Sequence, residues 1–152
     1  HKTKNVKQIL SEKGHEVWSP SPVSNVFDAL KSMSDKGVGA LVVMDNQGVV
    51  GVFSERDYAR KVILEGKSSK GLPVKEIMTR RVVFVKPEHT TDECMALMTD
   101  KHIRHLPVVV DDELVGIISI GDVVKAIISQ QEFVIEQLEN YITGAYISVS
   151  KQ

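Results

Sequence analysis

The chain has 152 residues, enough for one compact domain or two small fused units. Its 19 basic and 20 acidic side chains give a net charge of −1, which excludes the strongly positive field typical of proteins that bind duplex nucleic acid. No apolar run reaches the roughly 20 residues of a membrane helix, and the single cysteine, Cys94, excludes an internal disulfide. We expect a soluble, cytoplasmic protein with no nucleic-acid or membrane partner and with Cys94 in its core.

The first predicted elements form a β-α-β-β-α unit. An extended run at residues 16–19 ("EVWS") precedes apolar residues that recur at helical spacing from Val26 to Met33, and Gly37 ends this helix. The β-branched runs "ALVVM" and "VVGVF" flank the turn sequence "DNQG", which predicts a hairpin. A second helix then begins at Ser54.

The same elements return 65 residues later. The run "VVFV", a helical pattern through Cys94 and Met98, and the hairpin "LPVVV" and "LVGII" around "DDE" lead to a helix that begins at Ser119. One such unit is too small to cover the apolar face of its own sheet. The predicted fold class is therefore α/β (α+β), with two β-α-β-β-α repeats packed about a pseudo-twofold axis.

The repeats also set the expected domain boundaries. We expect the first repeat at 6–63, a linker at 64–73, the second repeat at 74–128 and a C-terminal helix and tail at 129–152. The tail helix carries an apolar stripe that is too long for one small unit to cover, formed by Val124, Ile127, Ile128, Val134, Ile135, Leu138, Tyr141 and Ile142, with Gln131 as its only polar member. This stripe either contacts a partner or folds back onto its own module.

Several motifs together resemble a tandem pair of cystathionine-beta-synthase (CBS) domains, the unit also called a Bateman module. They are "GVGALVVMD" and "VVGVFSERDY" in the first copy, and "VKEIMT", "LMTDKHIRHLPVVVD" and "LVGIISIGDVV" in the second. The resemblance covers roughly residues 6–128. It implies a regulatory module rather than an enzyme, which binds an adenosine ligand (AMP, ADP, ATP or NAD, or S-adenosylmethionine) between its copies and senses energy or redox state. It also implies a homodimer formed through helices and leaves a regulated protein partner unidentified.

The motif Ser-x-x-Asp at Ser54–Asp57 has two interpretations. An Asp three residues after a strand-to-helix junction is placed to bind ribose hydroxyls beside an anion-tolerant helix start. The same sequence is a helix-capping arrangement. The resemblance favours ribose binding for Asp57 and for its counterpart Asp122.

The segment "HIRH" adds cations before the second hairpin. Arg104 and His105 are expected on opposite faces of the strand, and on residues alone they are interpreted as a surface charge and a half-buried histidine. The resemblance implies phosphate contacts instead, with Arg80 and Arg81 adding charge nearby. We expect AMP affinity to increase as pH falls through the histidine range.

The resemblance implies a set of nucleotide-binding residues. They are Trp18, Gly39, Ala40, Ser54, Arg56, Asp57, Thr79, Arg80, Val82, Arg104, His105, Ser119 and Asp122. Gly39 and Ala40 hold the positions of Arg104 and His105, so we expect the cleft that pairs Asp57 with Arg104 to bind phosphate more tightly than its counterpart.

The sequence gives little support for a metal site or a catalytic site. His102 and His105 have no third ligand at a suitable spacing, so no metal site is expected, and no nucleophile triad or phosphate loop is present. The alternative from another class is a structural or dimerisation scaffold without a physiological ligand.

Overall fold

The computed structural model describes residues 4–143 and has a mixed α+β architecture. The helices are α1 (Val6–Lys13), α2 (Val26–Lys36), α3 (Glu55–Tyr58), α4 (Thr91–Lys101) and α5 (Ile120–Thr143). The strands are β1 (Ala40–Asp45), β2 (Gly48–Ser54), β3 (His105–Val110) and β4 (Glu113–Ser119). A π-helical turn (Ala59–Ile63) continues α3, and a 3-10 turn (Val74–Glu76) opens the second copy.

The two predicted hairpins are confirmed and have the same register. Strands β1 and β2 pair antiparallel with Ala40 opposite Ser54, and β3 and β4 pair with His105 opposite Ser119. Each hairpin has one irregularity at the equivalent position, between Val43 and Met44 and 65 residues later in β3. The sequence repeat is therefore a repeat of structure.

The extended runs predicted at 16–19 and 82–85 do not form regular strands. Val85 donates a 3.0 Å hydrogen bond to the carbonyl of Pro107 and accepts one of 3.0 Å from Val109 N. In the first copy only the second of these bonds has a counterpart, from Met44 N to the carbonyl of Pro20 at 3.0 Å. Proline has no N–H to donate the other. The runs are thus extended segments that bridge to the hairpins.

Local signals define the first long helix of each copy. The side chain of Asn25 accepts a hydrogen bond from Phe27 N in the first turn of α2, and Gly37 ends that helix with a φ of 66°. Thr90 and Glu93 form a reciprocal capping box at the start of α4. At its end His102 adopts a φ of 55°, so a non-glycine residue takes the left-handed conformation that glycine takes in the first copy.

The two hydrophobic cores exchange their first segments. The core of the first hairpin and α2 includes residues from the start of the second copy, namely Val74, Ile77 and Met78. The core of the second hairpin, α4 and α5 includes residues of α1, namely Val6, Ile9 and Leu10. Cys94 is fully buried in this second core, as predicted, and burial raises the pKa of its thiol to about 11. This exchange ties the two copies into one body.

Candidate functional site

A cavity of about 670 Å³ lies between the two copies, where β2 and β4 lead into α3 and α5. It brings together most of the site residues predicted from the sequence: Gly39, Ser54, Arg56, Asp57, Thr79, Val82, Arg104, His105 and Ser119. Side chains of both copies therefore form its wall.

The cavity wall also carries residues with ionisable side chains that the predicted set omitted. They are Glu55, Arg60, Lys61, Arg81 and His102. Arg60 and Lys61 follow Arg56 and Asp57 by one helical turn, and this spacing of four was the signal that could have found them. Five Lys or Arg side chains face two carboxylates on this wall, so a chain of net charge −1 concentrates positive charge here.

Asp57 is the anchor of the first helix start and is only 7% exposed. Its Oδ2 accepts hydrogen bonds from Ser54 N at 3.0 Å and from Ser54 Oγ at 3.1 Å. Its Oδ1 accepts one from Thr79 Oγ1 at 3.0 Å and lies 3.1 Å from Lys61 Nζ. Ser54 and Asp57 thus form the capping box that one interpretation of the sequence predicted, and the cap fixes the carboxylate at the cavity wall.

His105 lies beside the first copy. A Cβ added to Gly39 would be 3.4 Å from His105 Nε2 and 2.9 Å from Oε1 of Glu55. Any larger residue at position 39 would crowd both side chains, so the missing side chain gives the imidazole its space. Arg104, the residue before it, is exposed at the cavity edge. Arg104 and His105 therefore line one cavity although their burial differs.

Burial lowers the pKa of His105 to about 4. The positive charges of Lys13, Arg104 and Arg56 contribute to this lowering, and the carboxylate of Asp122 opposes it. The imidazole is therefore neutral at pH 7. The expected increase of AMP affinity on acidification consequently shifts below the ordinary histidine range.

Arg56 joins the two copies across the cavity. Its Nη1 donates a 3.1 Å hydrogen bond to the carbonyl of His102, at the C-terminal end of α4. Carbonyls at a helix end lack partners within the helix, so this bond satisfies one of them. A guanidinium has five N–H donors, and the remaining ones are available to an anion in the cavity.

The second helix start has a different partner. Asp122 Oδ2 accepts a 2.8 Å hydrogen bond from Ser119 N, and Ser119 Oγ accepts one of 3.1 Å from Asp122 N. The same Oδ2 lies 2.6 Å from Lys13 Nζ of α1. Burial would raise the pKa of Asp122, but the bonds from Lys13 and Ser119 outweigh it and hold that pKa below its ordinary value.

Four residues of the predicted set do not line the 670 Å³ cavity: Trp18, Ala40, Arg80 and Asp122. Ala40 is buried in β1, and Arg80 is exposed, with its Nη2 donating to the carbonyl of Lys75 at 3.1 Å. Trp18 is 41% exposed. The structure places these side chains outside the cavity in which the other nine meet.

The family model for the CBS domain matches this chain twice, at residues 8–64 and 74–129. The chain belongs to the CBS-domain family. Its two copies are therefore two CBS repeats, and the cavity between them is the cleft of a CBS pair.

Several proteins resemble this CBS pair over most of its length. A CBS domain-containing protein of Arabidopsis thaliana, CBSX3, mitochondrial, is 42% identical over 93% of this chain and 73% of its own. The structure of a putative signal-transduction protein with CBS domains from Burkholderia ambifaria MC40-6 is 48% identical, with a TM-score of 0.80 over 84% of this chain and 96% of its own.

A third similar structure contains ligands. The CBS domain pair of protein MJ0100, in complex with 5′-methylthioadenosine and S-adenosyl-L-methionine, is 27% identical, with a TM-score of 0.71 over 80% of this chain and 98% of its own. All three of these similar proteins are described as containing CBS domains, and one of them is in complex with adenosine compounds.

None of the helices within residues 4–143 is both long and apolar enough to cross a membrane. Within the same range, no group of three or more His, Cys, Asp or Glu side chains is arranged to hold a metal ion.

Proposed function

We propose that this CBS pair is a regulatory module that binds an adenine nucleotide, namely AMP, ADP, ATP or NAD, in the 670 Å³ cleft between its repeats. One observation carries the proposal: a single cavity joins Ser54 and Asp57 of the first repeat to Arg104 and His105 of the second. In this proposal Asp57 is the ribose acceptor and Arg104 is the phosphate-binding cation, one contributed by each repeat.

The carboxylate of Asp57 binds the ribose hydroxyls in this proposal. It already accepts from Ser54 and Thr79 and pairs with Lys61, and a carboxylate has about four acceptor positions. A ribose therefore displaces one donor. Lys61 is the donor that yields, because its side chain is 39% exposed and its ammonium also bonds the carbonyl of Ile77 at 3.0 Å.

The phosphate groups lie toward Arg104 and Arg56. Both carry guanidinium forks, which match phosphate oxygens geometrically. His105 acts as a neutral hydrogen-bonding partner at pH 7, because burial lowers its pKa to about 4. Arg60 and Arg81 extend the positive wall for a second phosphate. The complex of the similar MJ0100 pair with two adenosine compounds supports an adenosine ligand here.

Reversible binding, without turnover, is the proposed activity. The ligand then reports energy or redox state to a regulated protein partner. We place the protein in the cytoplasm, a reducing compartment that suits the free, buried Cys94. The mitochondrial protein of Arabidopsis thaliana that resembles it makes the mitochondrion the alternative location.

Helix α5 supports the second part of the proposal, a homodimer. Its exposed apolar residues Val124, Ile128, Ile135 and Leu138 are spaced by four, seven and three, so they share one face of the helix. Leu138 is 56% exposed and Ile135 is 55% exposed. A second copy of this chain would cover that face. The side chain of Ile142, the last residue of the predicted stripe, lies outside the described part of the chain.

This exposed face also favours the second candidate function, a dimerisation scaffold with no physiological ligand. A thermal-shift screen separates the two candidates. A nucleotide at one hundred times its dissociation constant adds about 2.7 kcal/mol to the free energy of unfolding, which raises Tm by about 5–10 °C. We expect such a shift with at least one of AMP, ADP, ATP, NAD and S-adenosylmethionine. If none of these five changes Tm, the scaffold is the function.

A further inference from the structure

The outer edges of the two hairpins are covered in different ways. In the first repeat, Val52 of β2 exchanges two backbone hydrogen bonds with Thr79, of 2.9 and 2.8 Å. The equivalent residue of β4 is Ile117, and its carbonyl accepts a 2.9 Å hydrogen bond from Lys13 Nζ. A ring nitrogen of His15 lies 3.3 Å from the next carbonyl along that edge. In the second repeat, side chains thus contact the strand edge that backbone groups of Thr79 cover in the first repeat.

The length of α1 explains this difference. The sequence has three more residues between α1 and the extended run of the first copy than between the equivalent elements of the second copy. Helix α1 has eight residues, whereas the 3-10 turn Val74–Glu76 has three, and the chain after that turn meets β2 at Thr79. The longer helix brings Lys13, its last residue, to the edge of β4 and the start of α5.

At the start of α5, Lys13 forms an ion pair with Asp122. Its ammonium lies 2.6 Å from Oδ2 of Asp122, and the two side chains are 32% and 23% exposed. Asp57 also has an ammonium partner, but Lys61 comes from the next turn of the same helical segment, and both residues still line the 670 Å³ cavity. Asp122 does not line it.

The second cleft is the one in which Asp122 would face Gly39 and Ala40 of the first repeat. On the side of the first repeat there is a small cavity, of about 320 Å³. It includes Gly37, Val38, Gly39 and Glu55, whose counterparts in the second repeat line the larger cavity. Every residue of its lining belongs to the first repeat, so this cavity stops short of Asp122.

We propose that Lys13 is an internal lid that occupies the ribose position of the second cleft and limits each chain to one nucleotide. The inference rests on the proposed function, because it takes Asp57 and Asp122 as equivalent ribose acceptors. An ammonium that donates to a carboxylate and to a strand carbonyl makes the bonds that ribose hydroxyls would make there. Lys13 is therefore the residue that sets the number of ligands.

The residues that face Asp122 determine which ligand the second cleft could bind without the ammonium of Lys13. Gly39 and Ala40 stand where Arg104 and His105 stand in the first cleft, so the second cleft offers no cation at those positions. Once the ammonium is removed, the ligand class that fits is an uncharged nucleoside rather than a nucleotide. Adenosine is the matching probe.

Calorimetry with two successive ligands tests the lid. The full chain is saturated with AMP, which fills the first cleft, and is then titrated with adenosine. We expect no adenosine binding to the wild type and one adenosine per chain in Lys13→Met, whose side chain keeps the length of lysine without its charge. The charge-retaining Lys13→Arg and the exposed control Lys7→Met are expected to behave as the wild type. If Lys13→Met does not fold, Lys13→Gln gives the same readout.

The outcomes separate the two proposals. One adenosine bound by the AMP-saturated wild type, or none gained by folded Lys13→Met or Lys13→Gln, would overturn the lid and leave the nucleotide site intact. A wild type that gives no heat with AMP, ADP, ATP or NAD contradicts the proposed function instead. In that case, one adenosine per chain gained only by Lys13→Met would still support the lid.

Discussion

The hydroxyl of Thr79 donates a 3.0 Å hydrogen bond to Oδ1 of Asp57, although the two residues belong to different repeats. The bond fixes the segment that opens the second repeat against the helix start of the first. Because Asp57 is 7% exposed, water does not readily replace a lost donor. The carboxylate of Asp57, the proposed ribose acceptor, is thus held from both repeats.

We predict that Thr79→Val lowers the free energy of unfolding by about 1–3 kcal/mol, because it leaves a buried acceptor without one of its donors. It should also weaken AMP binding, since the carboxylate loses its orientation. Chemical denaturation and calorimetry measure the two effects. Thr99→Val, at an exposed helical position, is the matched control and should change neither. Equal effects of the two variants would show that the bond to Asp57 contributes nothing.

His105 should make stability depend on pH. Its pKa is about 4 in the folded chain and about 6.5 in the unfolded chain, so between these values only the unfolded chain binds the proton. The contribution is complete above pH 6.5 and decreases by about 1.4 kcal/mol for each pH unit below it, down to about pH 4. Denaturation curves from pH 7 to 4.5 should be less steep in pH for His105→Gln than for the wild type, and His15→Gln serves as the control. Parallel pH curves for the wild type and His105→Gln would contradict the buried, neutral imidazole.

Two equivalent glycines should tolerate alanine differently. A Cβ on Gly51 would lie 2.7 Å from Met78 Sδ and 2.9 Å from the backbone oxygen of Thr79, whereas the atoms nearest to a Cβ on Gly116 all belong to the side chain of Leu10. A side chain can move aside more easily than the backbone. We therefore predict that Gly51→Ala lowers the free energy of unfolding by about 1–3 kcal/mol and that Gly116→Ala lowers it by less. Thermal and urea unfolding decide between them, and the opposite order would contradict the packing described.

The proposed homodimer should depend on the exposed face of α5. Leu138→Asp places a charge among apolar residues of that face, so we expect the dimer to dissociate to monomers. Gln137→Asp adds the same charge on a different face and should leave the mass unchanged. Light scattering coupled to size-exclusion chromatography measures both masses. A Leu138→Asp protein with the wild-type dimer mass would place the interface elsewhere.

Much of the fold could be predicted from the sequence because local motifs mark the helix ends and hairpin turns of the repeat. Gly37 and the turn "DNQG" mark the end of a helix and a hairpin, and the offset of 65 residues is reproduced by the pairing of Ala40 with Ser54 and of His105 with Ser119. The extended run predicted at 16–19, before α2, does not form a regular strand, because Pro20 lacks the N–H that a second hydrogen bond to the hairpin requires.

The site was harder to predict because its charges meet through tertiary packing. Nothing near Asp122 in the sequence indicates Lys13, which is 109 residues away and arrives with the exchanged helix α1. The low pKa of His105 depends mainly on burial, which follows from the packing of two repeats. By contrast, Ser54 and Asp57 are three residues apart, and both interpretations of that motif were available from the sequence.

The most direct test of the nucleotide site is calorimetric titration of AMP into the wild type, Asp57→Asn and Asp122→Asn, each checked for unchanged folding by thermal unfolding. These substitutions keep the shape of the side chain and remove its charge. We predict one AMP per chain for the wild type and loss of binding in Asp57→Asn. We predict wild-type binding in Asp122→Asn, because in the wild type the carboxylate of Asp122 already pairs with Lys13. Loss of AMP binding in Asp122→Asn with full binding in Asp57→Asn would contradict the assignment of the nucleotide to the 670 Å³ cleft.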